Sequence, residues 1–311
     1  MLIAGPNLTL DRILRIDELR PGEVLRFSDA RVAPGGKGVN VARVARDLEY
    51  PAVLVVLASG RTGRAAVELL EEEGLGVVSV PVGGEVRVAS IVVERGGRVT
   101  VLNEPGPPVT EDEWRSYVAT VEERLAGHRF LVCIGSTPPG SPRDAYGGLV
   151  RTAASRGVAT LVDAAGEFLA AALDAAPDVV TPNLGEAEGV LHGTTSLPAA
   201  ERSREARDRA LKAAAGLVGR GAGTAVVTVG AGVAVDRGSE RWWVDAPEVE
   251  VRNPIGAGDS LVGGLVGSLE RGEDFRTSLR VGVAAASASV ETDLPGSVHA
   301  DRVRSLASKM S

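Results

Sequence analysis

Phe130-Leu131-Val132-Cys133-Ile134, then residues 143–156, then Thr160-Leu161-Val162-Asp163 read as a short apolar run, an Ala/Leu/Arg segment of helical length, and a second short apolar run. The same rhythm extends in both directions. Strand-like runs at 53–57, 178–181 and Thr224–Val229 alternate with helix-like segments at 39–48, 65–73, 111–125, 202–217, 260–271 and 275–290. Short β-branched runs alternating with longer helical segments predict an α/β fold whose mostly parallel sheet is covered on both faces. Ligands of such sheets sit beyond the carboxyl ends of the strands.

Two stretches break the rhythm. Residues 12–34 are charged and extended. Residues 85–103 carry two β-branched runs around Arg95-Gly96-Gly97-Arg98, the pattern of a hairpin with a glycine turn. Together they predict a small β-lid over the mouth of the main sheet. With no internal repeat and no low-complexity linker, residues 1–311 read as one domain carrying this lid.

Composition narrows the function. The net charge of −7 leaves no basic face for nucleic acid. Lysine occurs only at 37, 212 and 309; all other basic residues are arginine, so a lysine inside a glycine run stands out. Aromatic residues make up 3%, so the core must rest on Val, Leu, Ala and Ile. Cys133 is the only cysteine and lies in an apolar run, which predicts a core position and a reducing, cytoplasmic setting. No apolar run reaches membrane-spanning length, and the first residues lack the pattern of a signal peptide. His128, His192 and His299 show no metal-ligand spacing.

The chemistry concentrates in glycine runs. Asn253-Pro254-Ile255-Gly256-Ala257-Gly258-Asp259-Ser260 precedes an apolar helix. Glycines at a helix start let successive N–H groups face an anion, and the helix dipole adds partial positive charge. Asp259 stands in the same turn. Phosphoryl transfer calls for this pairing: donors aimed at the transferred group beside a base for the attacking hydroxyl. No Gly-x4-Gly-Lys-Ser/Thr run occurs, which argues against a P-loop kinase, and no Gly-x-Gly-x-x-Gly follows the first strand. Near the N-terminus, Pro34-Gly35-Gly36-Lys37-Gly38-Val39-Asn40 opens the first major helix. It combines close backbone approach, a point charge for phosphate, and an amide for sugar hydroxyls.

These two runs, in this order and more than two hundred residues apart, resemble the signatures of the ribokinase-like (PfkB) carbohydrate kinases. The resemblance implies a three-layer α/β/α fold with a small β-sheet lid. It makes Asp259 the catalytic base and the amides of Gly256, Ala257 and Gly258 the anion hole. It assigns Gly35, Gly36, Lys37 and Asn40 to the acceptor sugar, together with Asp11 of Asn7-Leu8-Thr9-Leu10-Asp11. Lys37 and Arg87 further imply a phosphorylated acceptor, with Arg26 a weaker candidate for the same phosphate.

Segments Leu102-Asn103-Glu104-Pro105-Gly106-Pro107, Gly135-Ser136-Thr137-Pro138-Pro139-Gly140 and Asp163-Ala164-Ala165-Gly166-Glu167 are similar to those of 1-phosphofructokinases and tagatose-6-phosphate kinases. Ala89 departs from the pattern, where Asn is common. On the nucleotide side, Asn183 and Glu186 match the family's Asn-x-x-Glu, which implies ATP with Mg²⁺ held by Glu186 through water. The same spacing is that of a helix capping box. Thr228 and Gly230 resemble the loop beneath the ATP phosphates, although Val233 stands where a second glycine is usual. Residues 284–288 are small enough to cover an adenine.

The resemblance thus implies ATP-dependent phosphorylation of a hexose phosphate, by a homodimer formed through the lid. Two rivals remain at this level: a kinase of an unphosphorylated sugar or nucleoside, and a catalytically silent sugar-phosphate-binding protein.

Overall fold

A computed structural model describes residues 1–27, 29–193, 204–230 and 232–310. Its strands are β1 (Leu2–Ala4), β2 (Thr9–Ile16), β3 (Asp29–Gly35), β4 (Val53–Ser59), β5 (Val77–Val82), β6 (Arg87–Glu94), β7 (Val99–Asn103), β8 (Phe130–Ile134), β9 (Ala159–Asp163), β10 (Val179–Val180), β11 (Thr224–Val229), β12 (Gly232–Asp236) and β13 (Arg241–Asp245). Its helices are α1 (Lys37–Asp47), α2 (Gly60–Glu72), α3 (Glu111–Arg124), α4 (Ala145–Ser155), α5 (Gly166–Asp174), α6 (Leu184–His192), α7 (Arg204–Gly219), α8 (Ala257–Glu270), α9 (Phe275–Ser289) and α10 (Ala300–Ala307). Arg202 and Ser203, expected to begin the helix at 202–217, lie outside the described residues.

The main sheet runs β13-β12-β11-β10-β9-β8-β1-β4-β5, parallel from β5 to β11, with β12 and β13 antiparallel at one edge. Alternate strand residues feed two cores. Leu131 and Cys133 point into one, with Tyr117 of α3, Leu149 of α4 and Leu217 of α7. Val132 and Ile134 point into the other, with Val41 of α1, Leu70 of α2 and Leu265 of α8. This period-2 division of an apolar strand between two helical layers is the three-layer arrangement that the alternation predicts. Aliphatic side chains dominate both cores, as the composition requires. Two buried aromatics are anchored: the Tyr117 and Tyr146 hydroxyls donate to the Val55 and Ile134 carbonyls at 3.1 and 2.9 Å.

The order of the strands places the site. From β1 the chain builds outward through β4 and β5; it then returns to β8 on the other side of β1 and builds outward through β9, β10 and β11. The reversal between β1 and β8 is a topological switch point, where a crevice opens beyond the strand ends. Gly5 and Asn7 follow β1 there, and Gly135 and Ser136 follow β8. The Asn7 amide donates to Ser136 Oγ at 2.9 Å, across the crevice.

A second sheet of four strands runs β3-β2-β6-β7. It contains the expected hairpin, β6 and β7, with Ala89 opposite Asn103. The first stretch begins earlier than expected, because Thr9 to Asp11 already pair with β3 and β6. Among the described residues no helix is long and apolar enough to cross a membrane.

Candidate active site

Helix α8 has Gly256 as its N-cap, in a left-handed conformation (φ 83°) with no side-chain capping bond. The amides of Ala257, Gly258 and Asp259 form the first turn, where N–H groups have no intrahelical acceptor. A Cβ on Gly258 would meet nothing within 4 Å, so this turn opens to free space. That space is a cavity of 1020 Å³ lined also by Asn183, Thr228 and Gly230. Its far wall is apolar, with Val249, Leu261, Val283 and Val290. Of the small residues at 284–288, Ala286 and Ser287 face the cavity, whereas Ala284, Ala285 and Ala288 are buried in helix packing.

Asp259 is buried, and its Oδ2 accepts from the Asn40 amide at 2.8 Å. Burial raises its carboxyl to a pKa of about 7; the Lys37 charge and the Asn40 hydrogen bond oppose the rise, and Asp163 and Glu186 add to it. A carboxylate so poised is matched to proton abstraction near neutral pH. Asn40 is itself locked by Gly296 (φ 73°): a Cβ there would lie 2.5 Å from the Asn40 Cα.

Lys37 begins α1 and donates to Asp163 Oδ1 at 2.7 Å. Thr181 Oγ1 donates to the other Asp163 oxygen at 3.1 Å. Burial works against the lysine charge, but Asp163, then Asp259 and Glu186, outweigh it and hold Lys37 above its ordinary range. The ammonium therefore stands among three carboxylates.

Glu186 and Asn183 form a complete capping box at the start of α6, each side chain bonding the other's backbone N–H at 2.9 Å. Thr228 N–H donates to the Pro182 carbonyl at 3.1 Å, tying the β11 end to that cap. Burial raises Glu186 above the ordinary carboxyl value; Lys37 opposes this and Asp163 adds to it. Among the described residues no group of three or more His, Cys, Asp or Glu is disposed to hold a metal. A magnesium ion that keeps its waters and rests on nucleotide phosphates needs only one or two carboxylates, and Glu186, with Asp163 nearby, fits that requirement.

A smaller cavity of 370 Å³ lies on the other side, lined by Gly35, Gly36, Lys37, Arg87, Asn103 and Glu186, among others. The Asp11 carboxylate lies over Gly35, where any Cβ would clash with it. Asp11 Oδ1 is buried with no hydrogen-bond partner, and neither Asp11 nor Asn40 lines this cavity; the glycine run that does stands between them and it. Burial also pushes Asp11 above its ordinary value, against the pull of the Thr9 hydroxyl, Arg43 and Arg87. Arg87 is held by three acceptors: its Nη1 donates to Asn103 Oδ1 (3.0 Å) and the Glu104 carbonyl (3.3 Å), and its Nη2 to the Asn7 carbonyl (3.2 Å). Arg26 is exposed and lines neither cavity.

Residues 7–299 match the model of the pfkB family carbohydrate kinases. The chain belongs to that family. It is 32% identical to the ATP-dependent 6-phosphofructokinase isozyme 2 of Escherichia coli K12 over 90% of this chain and 89% of that one. It is 30% identical to the 1-phosphofructokinase of the same organism, over 91% and 88%. The solved tetrameric inhibited form of E. coli phosphofructokinase-2 superposes with a TM-score of 0.88 at 30% identity, covering 99% of this chain and 97% of that chain. The ribokinase-like fold and the kinase class implied by the two glycine runs therefore hold for this pfkB-family chain.

Some residues at the site escaped the motif reading. Arg43 of α1 is buried, with its guanidinium paired to both Glu73 oxygens at 2.7 and 2.8 Å and donating to the Pro34 carbonyl at 2.7 Å. Asp163 lies in a segment similar to that of 1-phosphofructokinases, and its place at a strand's carboxyl end is the local signal for it. Asn103 lies in another such segment, and its position opposite Ala89 appears only once the hairpin register is known.

Proposed function

We propose that this kinase transfers the γ-phosphoryl group of ATP to a hydroxyl of a hexose phosphate. The observation that carries the reading is the first turn of α8. Its amides open into the larger cavity, and its Asp259 is hydrogen-bonded to Asn40, a residue of the glycine run that walls the smaller one. ATP occupies the larger cavity, with its adenine against Val283, Ala286 and Val290 and its phosphates toward Thr228, Gly230 and the α8 amides. The acceptor occupies the smaller cavity, its hydroxyls on Asp11, Gly36 and Asn40 and its phosphate on Arg87. Magnesium bound with the nucleotide supplies charge neutralisation at the phosphates, and Glu186 would hold it through water.

Asp259 takes the proton of the attacking hydroxyl. The amides of Gly256, Ala257 and Gly258 stabilise charge on the transferred group. Lys37, set among Asp163, Asp259 and Glu186, is placed where acceptor and γ-phosphate meet and serves both. The β3-β2-β6-β7 sheet acts as a lid that excludes water during transfer.

The curated relatives are named for 6-phosphofructokinase and 1-phosphofructokinase activity, which supports a fructose phosphate acceptor. Arg87 and Lys37 favour it over an unphosphorylated sugar. We further infer a cytoplasmic homodimer joined through the lids. An ADP-release assay with fructose 6-phosphate, fructose 1-phosphate, tagatose 6-phosphate and unphosphorylated sugars tests the main reading. Turnover on the free sugars alone, or on none, would refute it.

A further inference from the structure

Four residues form a row across the lid sheet: Ala33, Asp11, Ala89 and Asn103, each directly paired with the next. Directly paired residues project from the same face. Arg87, two residues before Ala89, shares that face. Arg87 and Asn103 both line the smaller cavity, so the face is the one turned toward it.

The chemistry of one contact sets the orientation of Asn103. Its Oδ1 accepts from Arg87 Nη1 at 3.0 Å. A guanidinium only donates, so the oxygen of the amide must face it. The Nδ2 group, with two N–H donors, is thereby left for another acceptor. Next to a guanidinium, the acceptor best matched to it is an anion.

We propose that Asn103 is the second half of the acceptor-phosphate clamp, its Oδ1 holding Arg87 and its Nδ2 donating to the same phosphate. This rests on the sugar-phosphate reading above and adds the residue that recognises the charged end. Asp11 and Asn103 stand two strand spacings apart, roughly 10 Å, with the small Ala89 between them.

The test is calorimetric titration of fructose 6-phosphate, fructose 1-phosphate and tagatose 6-phosphate into the wild type, Asn103→Ala and Asn103→Asp, with ATP titrated as a folding control. Asn103→Ala should weaken the preferred sugar phosphate about ten- to hundredfold, the scale of a hydrogen bond to a charged group, with ATP affinity unchanged. Asn103→Asp is the discriminating variant. Its carboxylate still accepts from Arg87 but repels a phosphate, so it should weaken binding at least as much as Ala. Wild-type affinity in Asn103→Asp would mean that residue 103 merely orients Arg87 and would overturn the proposal. So would an unaffected Asn103→Ala, or a wild type that binds none of the three. If Asn103→Ala also loses ATP, Asn103→Leu, closer in volume, repeats the comparison. Binding without turnover in the wild type would leave the clamp standing and remove the kinase reading instead.

Discussion

Lys37 Nζ donates to Asp163 Oδ1 at 2.7 Å, joining the first residue of α1 to the last residue of β9. The pair sets an ammonium beside the Asp259 carboxylate, and the two partners act on that base in opposite senses. Lys37 lowers the Asp259 pKa and Asp163 raises it. Lys37→Met should therefore move the acid limb of the pH–rate profile to higher pH, and Asp163→Asn should move it to lower pH. Lys37→Met should also reduce kcat by about 10²-fold, the scale of losing a preorganised charge-stabilising donor. The check is kcat and kcat/KM between pH 5.5 and 9. Shifts in the same direction would show that the pair does not act on the base.

Asp259 itself sets where that limb lies. Its pKa of about 7 belongs to the free enzyme, so kcat/KM should rise with pH through about 7 and fall about tenfold per unit below it. Asp259→Asn should cost about 10²–10⁴ in turnover and abolish this limb, with ATP affinity largely kept. The same shift bears on stability. The folded state holds a proton that the unfolded chain releases near its ordinary value of 3.8. This group's contribution is therefore fully present below that value and is lost as pH rises through about 7. Asp259→Asn should flatten that decline in a series of thermal melts across pH.

What was legible in the sequence follows from what each residue's neighbours in the chain reveal. β8 and β11 run where expected because their residues are apolar on both faces. β5 and β13 were not anticipated: they are edge strands, half-exposed, and β5 carries Pro81. β10 is only two residues long against the four expected, since Asp178 turns back to accept from the Thr160 N–H. The glycine runs announced the site because glycine density is visible locally. Asp163 and Arg43 were harder to see, since their significance lies in long-range partners, Lys37 for one and Glu73 with the Pro34 carbonyl for the other. An arginine in a helix reads as surface until the fold closes over it.

The lid carries the oligomer prediction. Val99 and Val101 of β7 lie on the same face as Asn103, farther along the strand, and remain exposed at 36% and 46%. Apolar residues left open at the end of a sheet invite a second copy. Val101→Glu should shift the wild-type assembly toward monomer in sedimentation velocity at micromolar concentration. An unchanged assembly would place the interface elsewhere.

Arg43 offers the sharpest stability test. It ties three chain segments together: Glu73 after α2, the Pro34 carbonyl before the first glycine run, and the Pro295 carbonyl beside Gly296, at 3.4 Å. Gly296 in turn abuts Asn40, and Asn40 holds the base. Arg43→Met leaves the Pro34 and Pro295 carbonyls without this donor and leaves the partly exposed Glu73 carboxylate with Arg46 alone, at 3.6 Å. The loss should be on the order of 3 kcal/mol, a fall in Tm of roughly 5–10 °C. Adding Glu73→Leu removes the weakened Glu73 ion pair and should recover part of that loss. It should not recover all, because the carbonyls still lack a donor. The double variant should also keep a raised KM for the sugar phosphate, since the glycine run and the Gly296 turn are no longer fastened to each other. Full recovery of both Tm and KM would reduce Arg43 to a simple ion pair with Glu73, without a part in holding the site.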